Sequence, residues 1–363
     1  MSSVTREQVE SAIKQYIDPC LQQDLVSAKC IKNITIDGDK AVVDVQLGFP
    51  AKGHEAELAS KVEEQVSGID GLSSATVNIS TRIEPHTAQK GVKPIQGVKN
   101  IIAIASGKGG VGKSTTSVNL ALALKAEGAT VGILDADIYG PSQPRMLGVS
   151  EKPESKDGKT LQPLMGHGIQ SMSIGYLIEE ETPMIWRGPM VTQALEQLLN
   201  DTEWQDVDYL IIDLPPGTGD IQLTLAQKVP VSGALIVTTP QDIALLDARK
   251  ALKMFEKVDV RVLGVVENMS IHICSECGHE EHIFGQGGGQ NMSDEYNVDF
   301  VGALPLDIQI REQVDGGTPT VVADPDGRIT QIYREIARRV AAKLSLQAKE
   351  FSAKFPNIVI QNN

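Results

Sequence analysis

The sequence predicts an α/β chain: a mostly parallel sheet covered by helices on both faces, preceded by a small α+β domain. Three observations carry this reading. From Asn100 onward, apolar runs alternate with stretches of helical periodicity, as parallel strands joined by crossover helices require. A glycine-rich loop, Gly107 to Thr115, falls between the first of those runs and the first of those helices. Before Arg82 the rhythm differs, with short alternating strands and two helical stretches. The 363 residues leave room for two or three domains.

In chain order, Thr5 to Ile17 places Val9, Ile13 and Ile17 at helical spacing. Ile31 to Ile36 and Ala41 to Leu47 alternate as strands, and Asp37-Gly38 between them is a hairpin signal. Glu55 to Val66 reads as a helix and Ser74 to Ile79 as a strand, giving a first domain over residues 1–83. Residues 84–98 mix charge with two prolines and two glycines and read as a linker. The main domain, 99–349, has predicted strands at Ile101–Ala105, Thr130–Leu134, Ile169–Ile174, Tyr209–Leu214, Ala234–Thr239, Val260–Val266 and Phe300–Ala303. Their nearly unbroken apolar character suits strands covered on both faces. Arg328 to Leu346 puts Ile329, Ile332, Ile336, Val340 and Leu344 on one face, a helix that closes the domain, and 350–363 is a tail.

Composition narrows the function classes. A formal net charge of −14 repels nucleic acid and anionic membranes, so neither is an expected partner. No secretory leader stands at Met1 to Pro19, and no apolar run approaches the roughly 18–20 residues of a spanning helix. Four cysteines in this length do not make a disulfide framework, so a reducing cytoplasmic setting is expected.

The glycine-rich loop fits G-x-x-x-x-G-K-[ST], the phosphate-cradling P-loop. Gly107, Gly109, Gly110 and Gly112, with Val111, clear side chains away so that backbone N–H groups can face phosphate oxygens, and the helix N-terminus adds partial positive charge. In that motif Lys113 reaches the β- and γ-phosphates of ATP, and Ser114, followed by Thr115, holds Mg²⁺. Lys108 is a second lysine in the loop. It is either a surface side chain or a charge that reaches a partner subunit's nucleotide, where the transition state spreads negative charge.

Tyr209 to Asp213 is an apolar strand ending in a carboxylate, the place for a Mg²⁺-binding acid. Pro215 to Asp220 follows as a loop, with Gly217, able to sense the γ-phosphate. Leu134-Asp135-Ala136-Asp137 is another strand with acids at its C-terminal edge, where ligands bind open α/β sheets. There Asp137 could orient the attacking water and Asp135 could support the metal.

Cys274-Ser275-Glu276-Cys277 places two thiols on one tight turn, a pincer for a soft metal. Two thiolates leave a Zn²⁺ or [4Fe–4S] shell half filled. Two subunits that each gave Cys274 and Cys277 would complete a Cys₄ site on a two-fold axis. A redox dithiol and a structural zinc site are the alternatives; His272, His279 and His282 are nearby, but their spacing from Cys277 is tight for a zinc finger in one chain. Cys20 and Cys30 read as small buried residues.

With these motifs in hand, the chain resembles the signature-lysine, deviant Walker A ATPases, and among them the Mrp/ApbC-type iron–sulfur cluster carriers. The marks are the doubled-lysine loop, Asp135 to Ser142, Trp186-Arg187-Gly188-Pro189-Met190, Asp213 to Asp220, Thr238 to Gln241, Glu267 to Ser270, and the C-x-x-C followed by Ile283-Phe284-Gly285 and Gly287 to Gly289. The resemblance implies an ATP-hydrolysing homodimer with a [4Fe–4S] cluster bridging its subunits, delivered to apo-proteins and exchanged with scaffold proteins. It implies that Lys108 acts across the interface and that Asn268 and Pro305 lie near adenine. More weakly, the N-terminal part resembles the small domain of other iron–sulfur assembly factors. That domain often shows Asp-Pro-Glu and Cys-Pro; here they read Asp18-Pro19-Cys20 and Phe49-Pro50, which points to a docking or regulatory module. A positioning switch of the division-site type and a zinc-bridged dimeric ATPase are the competing functions.

Overall fold

The computed structural model describes residues 4–86, 92–178, 188–274 and 276–354. Two compact units emerge. One holds the residues up to His86 together with the last helix from Ala341 on; the other runs from Thr87 to Val340.

The first unit opens with α1 (Arg6–Ile13), which a capping box starts: Thr5 Oγ1 accepts from the Gln8 N–H, and Gln8 Oε1 accepts from the Thr5 N–H at 2.8 Å. The predicted helix runs four residues further than the observed one. The residue before a proline is pushed out of the helical region, and the chain turns at Asp18-Pro19, leaving Ile17 56% exposed. β1 (Ile31–Asp37) pairs antiparallel with β2 (Lys40–Leu47) through a tight turn in which Gly38 adopts φ +61°. α2 (Glu55–Ser67) then crosses over to β3 (Ser74–Thr81), which lies parallel to β2. Val9, Ile13, Leu25, Val43, Leu47, Phe49, Leu58 and Val62 fill this core.

The second unit begins with β4 (Val98–Ala105) and α3 (Lys113–Ala126), the strand and helix that flank the glycine-rich loop. There follow β5 (Val131–Asp135), the short α4 (Gln143–Met146), β6 (Leu164–Gly166), β7 (Ile169–Ser173), α5 (Gly188–Asp201), β8 (Val207–Asp213), α6 (Asp220–Lys228), β9 (Gly233–Thr238), α7 (Asp242–Lys257) and β10 (Val262–Glu267). A two-strand ribbon, β11 (His272–Ile273) and β12 (Glu280–Glu281), precedes α8 (Gly288–Tyr296), β13 (Phe300–Ala303), α9 (Ile308–Asp315), α10 (Thr320–Ala323) and α11 (Arg328–Lys354).

Among the described residues, one sheet runs in the order β13-β10-β9-β4-β8-β5-β7-β6. All neighbours in it are parallel except β6, which pairs antiparallel with β7 at the edge. Every residue of β5, β7 and β9 is buried, as strands covered on both faces must be. α3 is buried on almost all sides, and its polar members are satisfied in place. Asn119 accepts from the Val321 N–H of α10 at 3.1 Å. Glu127, which caps the C-terminal end of α3, receives Arg334 Nε and Arg338 Nη1, each at 2.7 Å.

Each predicted strand is present within a few residues, and the edge strand β6 and the β11–β12 ribbon are additions. The closing helix is longer than its periodic stretch, and its portion from Ala341 groups with the first unit rather than with 99–349. One unbroken apolar stripe cannot say in the sequence which core each turn of a helix serves. Trp186 and Arg187, residues 87–91 of the linker and residues 355–363 of the tail lie outside the described residues.

Candidate functional site

The site sits at the C-terminal edge of the parallel strands, where β4, β8 and β5 end side by side. Gly112 is the N-cap of α3 at φ +81°, a conformation that glycine adopts without strain. A Cβ there would lie 2.1 Å from Asn268 Nδ2, the atom that donates to the Val111 carbonyl at 2.8 Å. At Gly107 a Cβ would lie 2.1 Å from the backbone of Asp247. The loop is thus pressed between α7 and the end of β10, and only glycine fits at these two contacts. Gly109 and Gly110 stay exposed, with open space around Gly110. The first-turn N–H groups of α3 have no intrahelical partner by construction, so the loop and helix together form an anion cradle.

Behind the cradle lies a buried charge network. Lys113 Nζ donates to Asp213 Oδ1 at 2.6 Å and to Ser114 Oγ at 3.2 Å. Asp213 is fully buried and also accepts from Ser117 Oγ (2.8 Å) and Gln143 Nε2 (3.0 Å). Asp135, equally buried, accepts the N–H groups of Asp137 (3.1 Å), Ser142 (2.9 Å) and Gln143 (3.0 Å) and the Ser173 hydroxyl (3.2 Å). Burial, and then the charge of Asp213, push Asp135 up to about 7. Burial likewise raises Asp137, with Lys113 opposing. Three acids gathered around one ammonium form a site short of positive charge. Gln143 Oε1 and Ser142 Oγ are buried here without a hydrogen-bond partner among the described residues. A hydrated Mg²⁺ beside Ser114 fits that vacancy of donors and that excess of carboxylate.

Lys108 lies partly exposed in the loop, its carbonyl accepting from Ser106 Oγ at 2.9 Å. Its ammonium makes no ion pair among the described residues. Gly217, at φ +101°, donates its N–H to the Ser106 carbonyl at 2.9 Å, tying the loop after β8 to the phosphate loop. Pro305 follows β13 on a segment hydrogen-bonded along residues 267–271: the Leu304 N–H donates to the Glu267 carbonyl, and the Leu306 N–H to the Ile271 carbonyl. Asn268 therefore stands at one end of the cradle, with the Pro305 segment bonded to the residues that follow it. Thr239 Oγ1 is buried without a hydrogen-bond partner among the described residues.

The cysteines sit on the β11–β12 ribbon. Cys274 donates its N–H to the His279 carbonyl (2.9 Å) and accepts from the Gly278 N–H (2.9 Å), closing a tight turn. Cys277 is exposed and Cys274 partly so. The N–H groups of Cys277 and Glu276, aimed at the Cys274 sulfur, hold its thiol below the ordinary range. The ribbon's root is anchored beside the phosphate loop. Glu267 accepts from Ser270 Oγ (2.7 Å) and the Gly289 N–H (2.6 Å), clamping both ends of the loop, and the His282 ring bonds the Ser270 carbonyl at 2.9 Å.

The structure thus brings Lys113, Ser114, Asp135, Asp137 and Asp213 into one centre and places Cys274 and Cys277 on a separate exposed ribbon. Sequence reasoning missed Gln143 and Ser117, and it quoted Glu267 only as part of a family mark. Gln143 stands one residue past the quoted Asp135–Ser142 stretch, and its Pro144 neighbour at a helix start was the available signal. Cys20 is half-buried beside Asp18 and His54, not the plain core residue expected, whereas Cys30 is 1% exposed.

Comparison with known proteins bears on this geometry. Residues 97–341 match the family described as NUBPL iron-transfer P-loop NTPase, within the ParA group, and residues 6–79 match a family described as iron-sulfur cluster assembly protein. An iron-sulfur cluster carrier protein of Pseudomonas fragi is 60% identical over 274 residues, 75% of this chain and 96% of its own. Its namesake in Escherichia coli K12 is 50% identical over 347 residues, 95% of this chain and 94% of its own. Among solved structures, a nucleotide-binding protein of Archaeoglobus fulgidus in complex with ADP superposes with a TM-score of 0.57 at 35% identity, covering 65% of this chain and 93% of that one.

Proposed function

Because this chain belongs to the NUBPL iron-transfer P-loop NTPase family of iron–sulfur cluster carriers, we propose that it hydrolyses ATP and carries a [4Fe–4S] cluster shared by two copies of itself. Bound Mg²⁺–ATP supplies the phosphoryl group and neutralises charge. Gly107 to Thr115 cradle the phosphates, Lys113 binds the β- and γ-phosphates, and Ser114, Asp213 and Asp135 hold Mg²⁺. Asp137 orients the attacking water, Asn268 and Pro305 border adenine, and Lys108 reaches the partner's nucleotide. The cluster is cargo, held by Cys274 and Cys277 from each copy and passed to apo-proteins. Two thiolates per chain on an exposed ribbon suit release better than permanent storage.

The single observation that carries the reading is the clamp at the end of β10. Asn268 grips the phosphate loop while Glu267, next to it, grips both ends of the cysteine-bearing loop. A change in the phosphate loop is therefore delivered to the thiols through adjacent residues, which is the two-state coupling a nucleotide-gated carrier needs. The exposed Ile243 and Leu246, one turn apart on α7, offer apolar surface for self-association. No described helix is long and apolar enough to cross a membrane, in keeping with a cytoplasmic carrier.

Anaerobic reconstitution with iron and sulfide is expected to give about four irons per two chains. Cys274→Ala and Cys277→Ala should each abolish this and the accompanying visible absorption. Full iron content in Cys274→Ala, or zinc alone in anaerobically purified protein, contradicts the assignment.

A further inference from the structure

The N-terminal unit holds a side-chain cluster that nucleotide and cluster chemistry leave unused. A carboxylate oxygen of Asp18, the sulfur of Cys20 and a ring nitrogen of His54 all lie within 4.8 Å of one another. Ligands arranged tetrahedrally around one Zn²⁺ stand about 3.4–3.8 Å apart, so small side-chain rotations bring these three into coordination.

The local fold builds the cluster with care for orientation. Asp18 Oδ1 accepts the N–H groups of Cys20 (2.9 Å) and Leu21 (2.8 Å), which fixes the carboxylate and turns Oδ2 toward His54 Nε2 at 2.8 Å. Asp18 is 0% exposed and His54 3%, so neither is a casual surface group. The other ring nitrogen, His54 Nδ1, stands 3.6 Å from Glu57 Oε2. A carboxylate behind the far nitrogen is the usual support of a metal-ligating imidazole.

We infer that Asp18, Cys20 and His54 bind one divalent transition metal, with a fourth position left to water or an incoming ligand. Thiolate with imidazole selects a borderline-soft ion over Mg²⁺ or Ca²⁺, and one carboxylate with one thiolate and one imidazole matches Zn²⁺ best. Three protein ligands with an open fourth place form an exchange-competent site rather than a closed structural one. Loading displaces the Cys20 thiol proton, and any second proton on His54, into solvent.

The test uses the full chain carrying Cys274→Ser and Cys277→Ser, so that the cluster assignment has no bearing on the result. Anaerobic titration with Co²⁺ should give a thiolate-to-cobalt charge-transfer band that saturates at about one equivalent per chain and is erased by Zn²⁺. Adding Cys20→Ser should remove the band, and Cys30→Ser should leave it intact. His54→Gln, which keeps a hydrogen bond to Asp18, should weaken Co²⁺ binding at least about tenfold. Far-ultraviolet circular dichroism confirms folding in each variant. A band that survives Cys20→Ser, a band lost with Cys30→Ser, unchanged affinity in His54→Gln, or no band in the starting protein overturns the site.

Discussion

Lys113 is the only cation within reach of two buried acids that the described residues place at the phosphate site, and its removal exposes what that costs. Lys113→Met keeps an unbranched stem and deletes the charge. Nζ is 2.6 Å from a carboxylate that is 0% exposed, and truncating one partner of such a pair costs about 3–5 kcal/mol. The magnitude depends on pH through Asp135, which rises from the ordinary 3.8 to about 7. That rise corresponds to roughly 4 kcal/mol at 1.36 kcal/mol per pH unit. The folded state holds this proton more tightly than the unfolded chain. The associated stability is therefore complete below about pH 4 and lost as pH climbs through about 7. Lys113 opposes the shift, so without it Asp135 rises further. The penalty of Lys113→Met should be about 4 kcal/mol at pH 8. At pH 5, where Asp135 carries a proton and only Asp213 is left uncompensated, it should shrink by about 1–2 kcal/mol. Urea unfolding followed by tryptophan fluorescence reads this directly. Trp204, buried in the second unit, supplies a signal for the unfolding of that unit. Equal penalties at pH 5 and pH 8, or none at either, would refute the reasoning.

Two further substitutions probe the surroundings. Gly112→Ala forces an L side chain into φ +81° and places its Cβ 2.1 Å from Asn268 Nδ2. It should cost about 1–3 kcal/mol and weaken binding of a fluorescent ADP analogue at least about tenfold. Gly110→Ala, at φ +83° with open space, should cost only about 1 kcal/mol, and calorimetry of the two side by side separates strain from collision. Replacing Arg334 and Arg338 together by Ala removes both arginines from Glu127, whose side chain is 0% exposed, at a cost of about 3–5 kcal/mol in urea unfolding. Glu127→Gln in that background should recover much of the loss.

The legible parts of this protein were those where local spacing and chemistry coincide. Gly107 to Ser114 announced itself because a loop without side chains must be followed by the lysine and hydroxyl that use it. The strands at 101–105, 209–214 and 234–239 were plain because both faces are buried, which confines polar residues to the C-terminal ends of the runs. Asp135 and Asp213 were found as strand-end acids, yet nothing in either segment says that Gln143 and Ser117 share their oxygens. Those contacts span 70 and 96 residues of chain. The ribbon carrying Cys274 and Cys277 was read only as a tight turn, since two-residue strands carry no periodicity.

The amino-acid order alone determined the α/β class, the phosphate loop, the strand-end acids and the thiol pair, because each is written in neighbouring residues whose spacing is itself the chemistry. Tertiary structure alone decided that Asn268 and Glu267 clamp the phosphate loop and the cysteine loop from one strand end. It alone decided that Asp18, Cys20 and His54 converge, and that the last helix divides its allegiance at Ala341. Such facts depend on which distant surfaces meet when the sheet assembles, and burial then sets the charge of groups like Asp135 in ways that no local pattern encodes.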